Sequence, residues 1–344
     1  MAGWTAFLAA ARRQHPRQDP RFALVEQADG RDTLFLTGYD EGGKIAAIGL
    51  LAMLRHPFWP GAHQEAQCLS GPVCDDAATL VAFLQSVARL PGLARVGRLK
   101  VTPFWTGPEA ELLARRLSEA GWTIREAEPF RSTGWVDTTL PVEDLFARFS
   151  KSARREVRRA ERQGITLHRI VERDGAQVFL DSLNRLRSER RLGPVPAPGF
   201  LAAFDAIYRA GEDGVILSAC HEGTFVAGLQ LYRGAHVAHG RQFTTEPARL
   251  RQLGNLRIAP FLWLEGLRWA KARGCAALDV EGWRQGVDED DPKYNIYKYK
   301  SEFGPVPVRR LAEHSLTLNR SVDMTGNLKS DLRRSVRGIL RRLK

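Results

Sequence analysis

The sequence predicts an α/β fold of two successive units, each a mixed twisted sheet flanked by helices. Three observations carry this. Strand-like runs alternate with helical periodicity in strand–helix–strand order. The same succession occurs twice: hairpin strands, a helix, a strand, a shorter helix and a last strand. The chain also has 344 residues, enough for two ordinary domains. The divisions are placed at residues 1–140 and 141–312, with 313–344 as a basic amphipathic tail.

Residues 1–30 read as a helix and a polar lead-in. Strand-like runs follow at Thr33 to Thr37, Lys44 to Leu54 and Glu65 to Leu69. Leu80, Phe83, Leu84 and Val87 recur at helical spacing, so Val81 to Leu90 is a helix. Gly97 to Thr102 is a strand stopped by Pro103. Glu109 to Ala120 is a helix stopped by Gly121, and Trp122 to Arg125 is a further strand. In the second half Val215 to Ala219 is a strand. Thr224 to Tyr232 and Ala235 to Phe243 form a hairpin about Arg233 and Gly234. A long helix over 255–272 carries Ile258, Phe261, Leu262, Leu264 and Leu267 and ends at Gly274. Ala276 to Val280 is a strand, Tyr294 to Phe303 a short helix and Val306 to Arg309 a last strand.

The composition narrows the function classes. No run of eighteen apolar residues occurs, so no membrane-spanning helix is predicted. The first eleven residues place Trp4, Phe7 and Leu8 ahead of their arginines, the reverse of a secretory signal. The expected location is therefore the cytoplasm, with the inner face of the membrane as a candidate. Cys68, Cys74, Cys220 and Cys275 show no CxxC spacing and are expected to be reduced, with no metal site. The 51 Lys and Arg residues against 39 Asp and Glu give a net charge of +12. Such a surface attracts phosphates, nucleic acid or anionic lipid.

The basic residues cluster. Lys151, Arg154, Arg155, Arg158, Arg159 and Arg162 lie in one predicted helix, with Lys151, Arg155, Arg158 and Arg162 on one face. Guanidinium forks match phosphate oxygens, which makes this helix a candidate polyanion site. A second basic helix is predicted in the tail. There Leu328, Leu332, Val336, Ile339 and Leu343 form the apolar stripe, and Lys329, Arg333, Arg334, Arg337, Arg341, Arg342 and Lys344 cover the rest. It suits an anionic membrane surface or RNA.

Candidate catalytic groups lie between 251 and 303. Lys298 and Lys300 could each stabilise an oxyanion formed when an ester or thioester is attacked. Tyr297 is a candidate hydrogen-bonding wall residue beside them. Asp279 interrupts an apolar strand and, with Glu281, could deprotonate an attacking amine. Asp288 to Asp291 read as a solvated acidic loop, and His236 and His239 as structural. Arg251 and Gly254 open the long helix, where backbone N–H groups can approach a phosphate; a plain turn into a core helix fits equally. No HExxH, Walker or GxSxG pattern occurs, so no covalent nucleophile stands out, and direct attack by an amine on an activated acyl group fits.

Several of these segments together resemble the FemABX family of tRNA-dependent aminoacyltransferases. Ser150 to Gly164 (SKSARREVRRAERQG) resembles the basic helix opening that family's second domain. Glu222 to Gly228 (EGTFVAG) resembles its first hairpin. Trp263 to Gly274, followed by Leu278 to Gly282 (LDVEG), resembles its core helix and next strand. Tyr299 to Gly304 (YKSEFG) resembles its C-terminal Phe-Lys-x-x-Phe-Gly segment, with Tyr for the first Phe. Ser70 to Val73 (SGPV) resembles a landmark of the first domain. The match spans roughly residues 30 to 310.

The resemblance implies two tandem GNAT-like domains and aminoacyl transfer from aminoacyl-tRNA to an amine of a peptidoglycan precursor. It implies that Lys300 lies near the reacting carbonyl and that the basic helix, with Lys151, Arg154, Arg155 and Arg158, follows a phosphate-bearing substrate; Tyr297, Lys298 and Phe303 are further candidates for substrate binding. Some members insert a long helical arm in the second domain; here only Leu186 to Phe200, rich in Pro and Gly, occupies that region. Relatives without the arm include acyltransferases acting on polysaccharides. The alternative is therefore a GNAT N-acetyltransferase that uses acyl-CoA in exopolysaccharide or envelope synthesis. In GNAT enzymes the coenzyme A pyrophosphate sits on Gln/Arg-x-x-Gly-x-Gly/Ala; here Arg251 and Gly254 fit, but Leu256 replaces the last small residue. No permanent cofactor is expected, only aminoacyl-tRNA or acyl-CoA as co-substrate. The expected partners are a cell-envelope precursor, lipid-linked or free, with tRNA and the membrane surface as further candidates.

Overall fold

In each half one helix connects two parallel neighbouring strands, and this crossover organises its sheet. The computed structural model describes residues 1–124, 130–291 and 293–325. The chain divides into two compact units: residues 1–130 with 310–344, and residues 131–309.

The first unit opens with α1 (Ala2–Ala10) and α2 (Arg21–Ala28). Then come β1 (Asp32–Tyr39), β2 (Ile45–Arg55), β3 (His63–Cys68), α3 (Ala77–Ala88), β4 (Val96–Val101), α4 (Gly107–Glu119) and β5 (Thr123–Ile124). The Asp76 side chain caps α3 by accepting the Thr79 N–H at 2.7 Å, satisfying a donor the helix leaves open. β1, β2 and β3 pair antiparallel, and β3 and β4 pair parallel across α3. Leu80, Leu84, Leu99, Leu113 and Leu117 fill the core between sheet and helices.

The second unit contains β6 (Phe130–Asp137), α5 (Val142–Arg148), α6 (Lys151–Arg162), β7 (Thr166–Arg169), α7 (Arg173–Glu189) and α8 (Ala197–Ala203). It continues with β8 (Gly214–His221), β9 (Thr224–Arg233), β10 (Val237–Thr245), α9 (Pro247–Gln252) and α10 (Ala259–Ala272). It ends with β11 (Ala277–Asp279), α11 (Tyr294–Ser301) and β12 (Val306–Leu311). The sheet order is β12-β6-β11-β10-β9-β8-β7. β8, β9 and β10 form the antiparallel meander, and β10 runs parallel to β11 across α10. α10 packs closely on the sheet because Gly266 has no side chain: a Cβ there would lie 3.1 Å from Leu229 and Leu231. Phe261, Leu262, Leu264 and Leu267 of α10 join Val215, Leu229 and Leu278 in the core.

Several elements differ from the sequence reading. α7 is a seventeen-residue helix that the reading did not anticipate. It takes in Leu186 to Glu189, and α8 takes in Ala197 to Phe200, so the Pro- and Gly-rich segment is framed by helices. Residues His314–Thr317, within the expected tail, form strand β13 between β4 and β5 of the first sheet. β6, in the expected first domain, is a strand of the second sheet, antiparallel to β11. The predicted amphipathic segment 328–344 lies outside the described residues. No helix among the described residues is long and apolar enough to cross a membrane.

Candidate active site

β10 and β11 stay paired only from Val237 opposite Ala277 to His239 opposite Asp279. Beyond that point β10 continues while β11 ends, and a cavity of about 690 Å³ opens between them. Two features hold the strands apart. Gly240 admits the Trp263 ring, which a Cβ would meet at 2.6 Å. The β10–β9 register also shifts between Gly240 and Gln242, and a bulge at such a place re-aims the intervening side chain. That side chain, Arg241, faces the cavity. The charged residues of the lining are Arg190, Arg241, Arg257 and Lys300 against Glu281 alone, a balance that favours an anionic ligand.

The floor of the cavity is a clamp around Glu281. Its φ is +48°, a left-handed conformation rare for a residue with a side chain. Its N–H donates to Asp279 Oδ1 at 2.7 Å, and its carbonyl accepts the Lys300 ammonium. Tyr232 Oη donates to Glu281 Oε1 at 3.4 Å. Asp279 Oδ1 also accepts the Thr133 hydroxyl at 2.5 Å, and His239 Nδ1 lies 3.7 Å from Oδ2. Asp279 and His239 are fully buried, and Tyr232 stacks on His239 with centroids 5.4 Å apart. The buried groups therefore hold the Glu281 backbone, and Glu281 reaches the cavity.

Lys300, on α11, lines the cavity. Burial pulls its ammonium below the usual lysine value, while Glu281 and Asp279 pull it back. Tyr299 beside it has its phenol held well above the ordinary value by burial.

The other sequence candidates divide clearly. Asp279 lies beneath the cavity and is not part of its wall. Tyr297 and Phe303 are core residues: the Tyr297 carbonyl accepts the Trp283 indole N–H at 3.1 Å, and Phe303 packs on Phe149 and Trp263. Lys298 is exposed, with its ammonium 5.2 Å from the Tyr294 ring. Lys151, Arg155 and Arg158 are exposed on α6, and Arg154 is half-buried with a bond to the Ala147 carbonyl; none of the four lines the cavity. Sequence reasoning passed over Arg190, Arg241 and Arg257. Arg241 follows a glycine inside a strand, a local sign of a bulge, whereas Arg190 and Arg257 reach the site only through tertiary packing.

Arg251 and Gly254 are exposed at the turn between α9 and α10. Several backbone donors of this turn are used internally. Gly254 N–H bonds the Arg251 carbonyl and Leu256 N–H bonds the Leu250 carbonyl. Arg257 N–H bonds the carboxylate of Glu156, a buried residue of α6. Arg159 caps the Leu253 and Gly254 carbonyls at 2.8 Å each. Leu256 itself is a core residue, 2% exposed. A carboxylate thus occupies the entry to α10, the place where a phosphate would otherwise meet the helix N-terminus.

Residues 147–300 match the family model described as "Acetyltransferase (GNAT) domain". Among solved structures the chain is similar to FemX, with a TM-score of 0.79, 14% identity, and coverage of 93% of this chain and 96% of that one. It is also similar to the C-terminal domain (DUF2156) of an Agrobacterium fabrum protein named as a lysylphosphatidylglycerol synthetase, at a TM-score of 0.54 and 14% identity, covering 96% and 95%. A tandem GNAT protein from the clavulanic acid biosynthesis pathway gives a TM-score of 0.51 at 14% identity, covering 81% of each. A comparison with curated protein sequences finds no match. The fold of the chain is like that of FemX, and within it residues 147–300 match a GNAT acetyltransferase domain.

Proposed function

We propose that this acyltransferase moves an aminoacyl group from aminoacyl-tRNA to an amine of a peptidoglycan or other cell-envelope precursor, at the cytoplasmic face of the membrane. The observation that carries the choice of donor is the turn from Arg251 to Arg257. Its glycine is present, but the Gly254, Leu256 and Arg257 N–H groups bond internal acceptors, the last of them the Glu156 carboxylate, which supports a donor other than coenzyme A. The cavity lined by Lys300 and Glu281 supports an acyl-transfer reaction at this place. The similarity to FemX, and to a protein whose name joins lysine to a phospholipid, supports the same reading.

The reaction needs no covalent enzyme intermediate. The neutral acceptor amine attacks the ester carbonyl of the aminoacyl-tRNA. Negative charge gathers on the carbonyl oxygen, and the Lys300 ammonium stabilises it. Glu281 takes the proton from the attacking nitrogen. The C–O bond to the tRNA then breaks, and Glu281 returns the proton to the leaving oxygen, which becomes the tRNA hydroxyl. Asp279, with Thr133, acts as a positioning residue by fixing the Glu281 backbone. The exposed face of α6, with Lys151, Arg155, Arg158 and Arg162, follows the tRNA phosphates, and Arg154 steadies that helix.

The GNAT family match favours a second reading, in which the donor is acyl-CoA. One experiment separates the two: titration of the purified protein with mixed aminoacyl-tRNA and, separately, with acetyl-CoA, at two salt concentrations. Salt-sensitive tRNA binding without acetyl-CoA binding supports the proposal. Acetyl-CoA binding with no preference for tRNA overturns it.

A further inference from the structure

One end of the first sheet gathers apolar side chains that the reaction does not use. β3 and β4 start together, His63 opposite Val96, and β13 ends beside them, Thr317 opposite Arg98. The segments before β3, before β4 and after β13 therefore meet at the same end. Polar bonds tie them together. His63 N–H donates to the Arg95 carbonyl at 3.0 Å, and Arg95 Nη2 donates to the Pro60 carbonyl at 3.0 Å. Asn319 Nδ2 donates to the Ala94 carbonyl at 3.1 Å, and Arg98 pairs with Asp323 at 2.5 Å.

This scaffold displays Phe58 and Trp59 at 57% and 38% exposure, with Leu90 and Met324 also exposed. The aromatic pair is held, not loose. His56 Nδ1 accepts the N–H groups of Phe58 and Trp59 at 3.1 and 3.0 Å, and its Nε2 meets the Thr325 hydroxyl at 3.1 Å. Three exposed cations, Arg89, Arg95 and Arg320, come from the same segments. The sequence after Thr325 adds seven Lys and Arg residues against Asp331 alone. Held aromatic rings and exposed cations at one end of the sheet suit one partner chemistry: apolar for the rings, anionic for the cations.

We propose that this end of the first unit docks on an anionic lipid bilayer. Phe58 and Trp59 enter the interfacial layer, and Arg89, Arg95 and Arg320 meet the headgroups. Ring burial and headgroup attraction add together, so neither alone gives full binding. The inference concerns binding only and stands whichever acyl donor is used.

The test is sedimentation of the full chain with vesicles of phosphatidylcholine alone or mixed with phosphatidylglycerol. The wild type should bind only the anionic vesicles, and the Phe58→Ser/Trp59→Ser variant should bind them at least about tenfold more weakly. A Phe58→Trp variant gives a second readout: its added fluorescence should be quenched by brominated phosphatidylglycerol. Unchanged binding by the double serine variant, equal binding to neutral vesicles, or no added quenching would each overturn the proposal. So would a dimer of the chain, or a tRNA complex, that the double serine variant disperses while vesicle binding is absent.

Discussion

The contact between Thr133 and Asp279 can be tested by two substitutions that pull in opposite directions. Thr133 is 4% exposed and Asp279 is fully buried. The hydroxyl donates to Asp279 Oδ1, as does the Glu281 N–H. Thr133→Val keeps the shape and removes the donor. A hydrogen bond to a charged group contributes about 1.5–3 kcal/mol, so this variant should lose that much. The folded-to-unfolded ratio then falls roughly ten- to a hundredfold. Thr133→Ser keeps the hydroxyl and loses one methyl group, worth about 0.8 kcal/mol. The expected order of stability is wild type, then Ser, then Val, measured by urea denaturation at pH 7 with tryptophan fluorescence. Acyl transfer should follow the same order, because Asp279 Oδ1 also holds Glu281. If Val were more stable than Ser, packing and not the hydrogen bond would govern this site, and the clamp on Glu281 would lose its foundation.

Lys300→Met should lower the turnover of acyl transfer by about two to three orders of magnitude. It should also raise stability at neutral pH. Burial lowers the Lys300 pKa in the folded chain, so below that value the native ammonium costs more than it does in the unfolded chain. The gain should fade as pH rises towards the unfolded lysine value of about 10.4, and urea midpoints across that range check the sign. Replacing Arg155 and Arg158 together by Ala should reduce the slope of log affinity for tRNA against log salt by about 1.4–1.8, from two lost phosphate contacts; an unchanged slope removes α6 from the interface. Native thiol labelling at pH 8 should reach Cys220 first. Burial pushes Cys74 and Cys275 up to about 11 and Cys68 further still, and a thiol reacts as its thiolate. Mass mapping of the labelled peptides gives the order.

Local pattern carried much of the fold. The hairpin about Arg233 and Gly234, the apolar stripe of α10 and the basic run from Lys151 to Arg162 are signals within a few residues of the elements they define, and each element appears close to its expected bounds. α7 has the same kind of signal in Ala176, Phe179, Leu180 and Leu183, all buried. The pairing of β6 with β11 and of β13 with β4 joins residues more than a hundred positions apart, and no short-range pattern encodes it. The site follows the same division. Lys300 was legible because it lies in a recognisable segment. Glu281 and Asp279 were legible as carboxylates at a strand end, but which of them reaches the cavity depends on a backbone turn at φ +48°. Arg190 and Arg257 come from elements far apart in sequence, and only the folded chain brings them to one wall.

The strand β13 sets a condition on how the protein can be made. It sits between β4 and β5, and among the described residues β5 joins its sheet through β13. Everything from residue 131 to 309 must emerge between the early strands and the one that joins them. During synthesis domains generally fold in chain order, yet here the unit that begins first is completed last. Until residues 314–317 emerge, β4 keeps an open edge, and unpaired edges invite association with other chains. A ribosome that stalls after residue 309 would leave a finished GNAT domain attached to an unfinished, sticky partner, which makes the first unit the natural substrate of chaperones and proteases in truncated products.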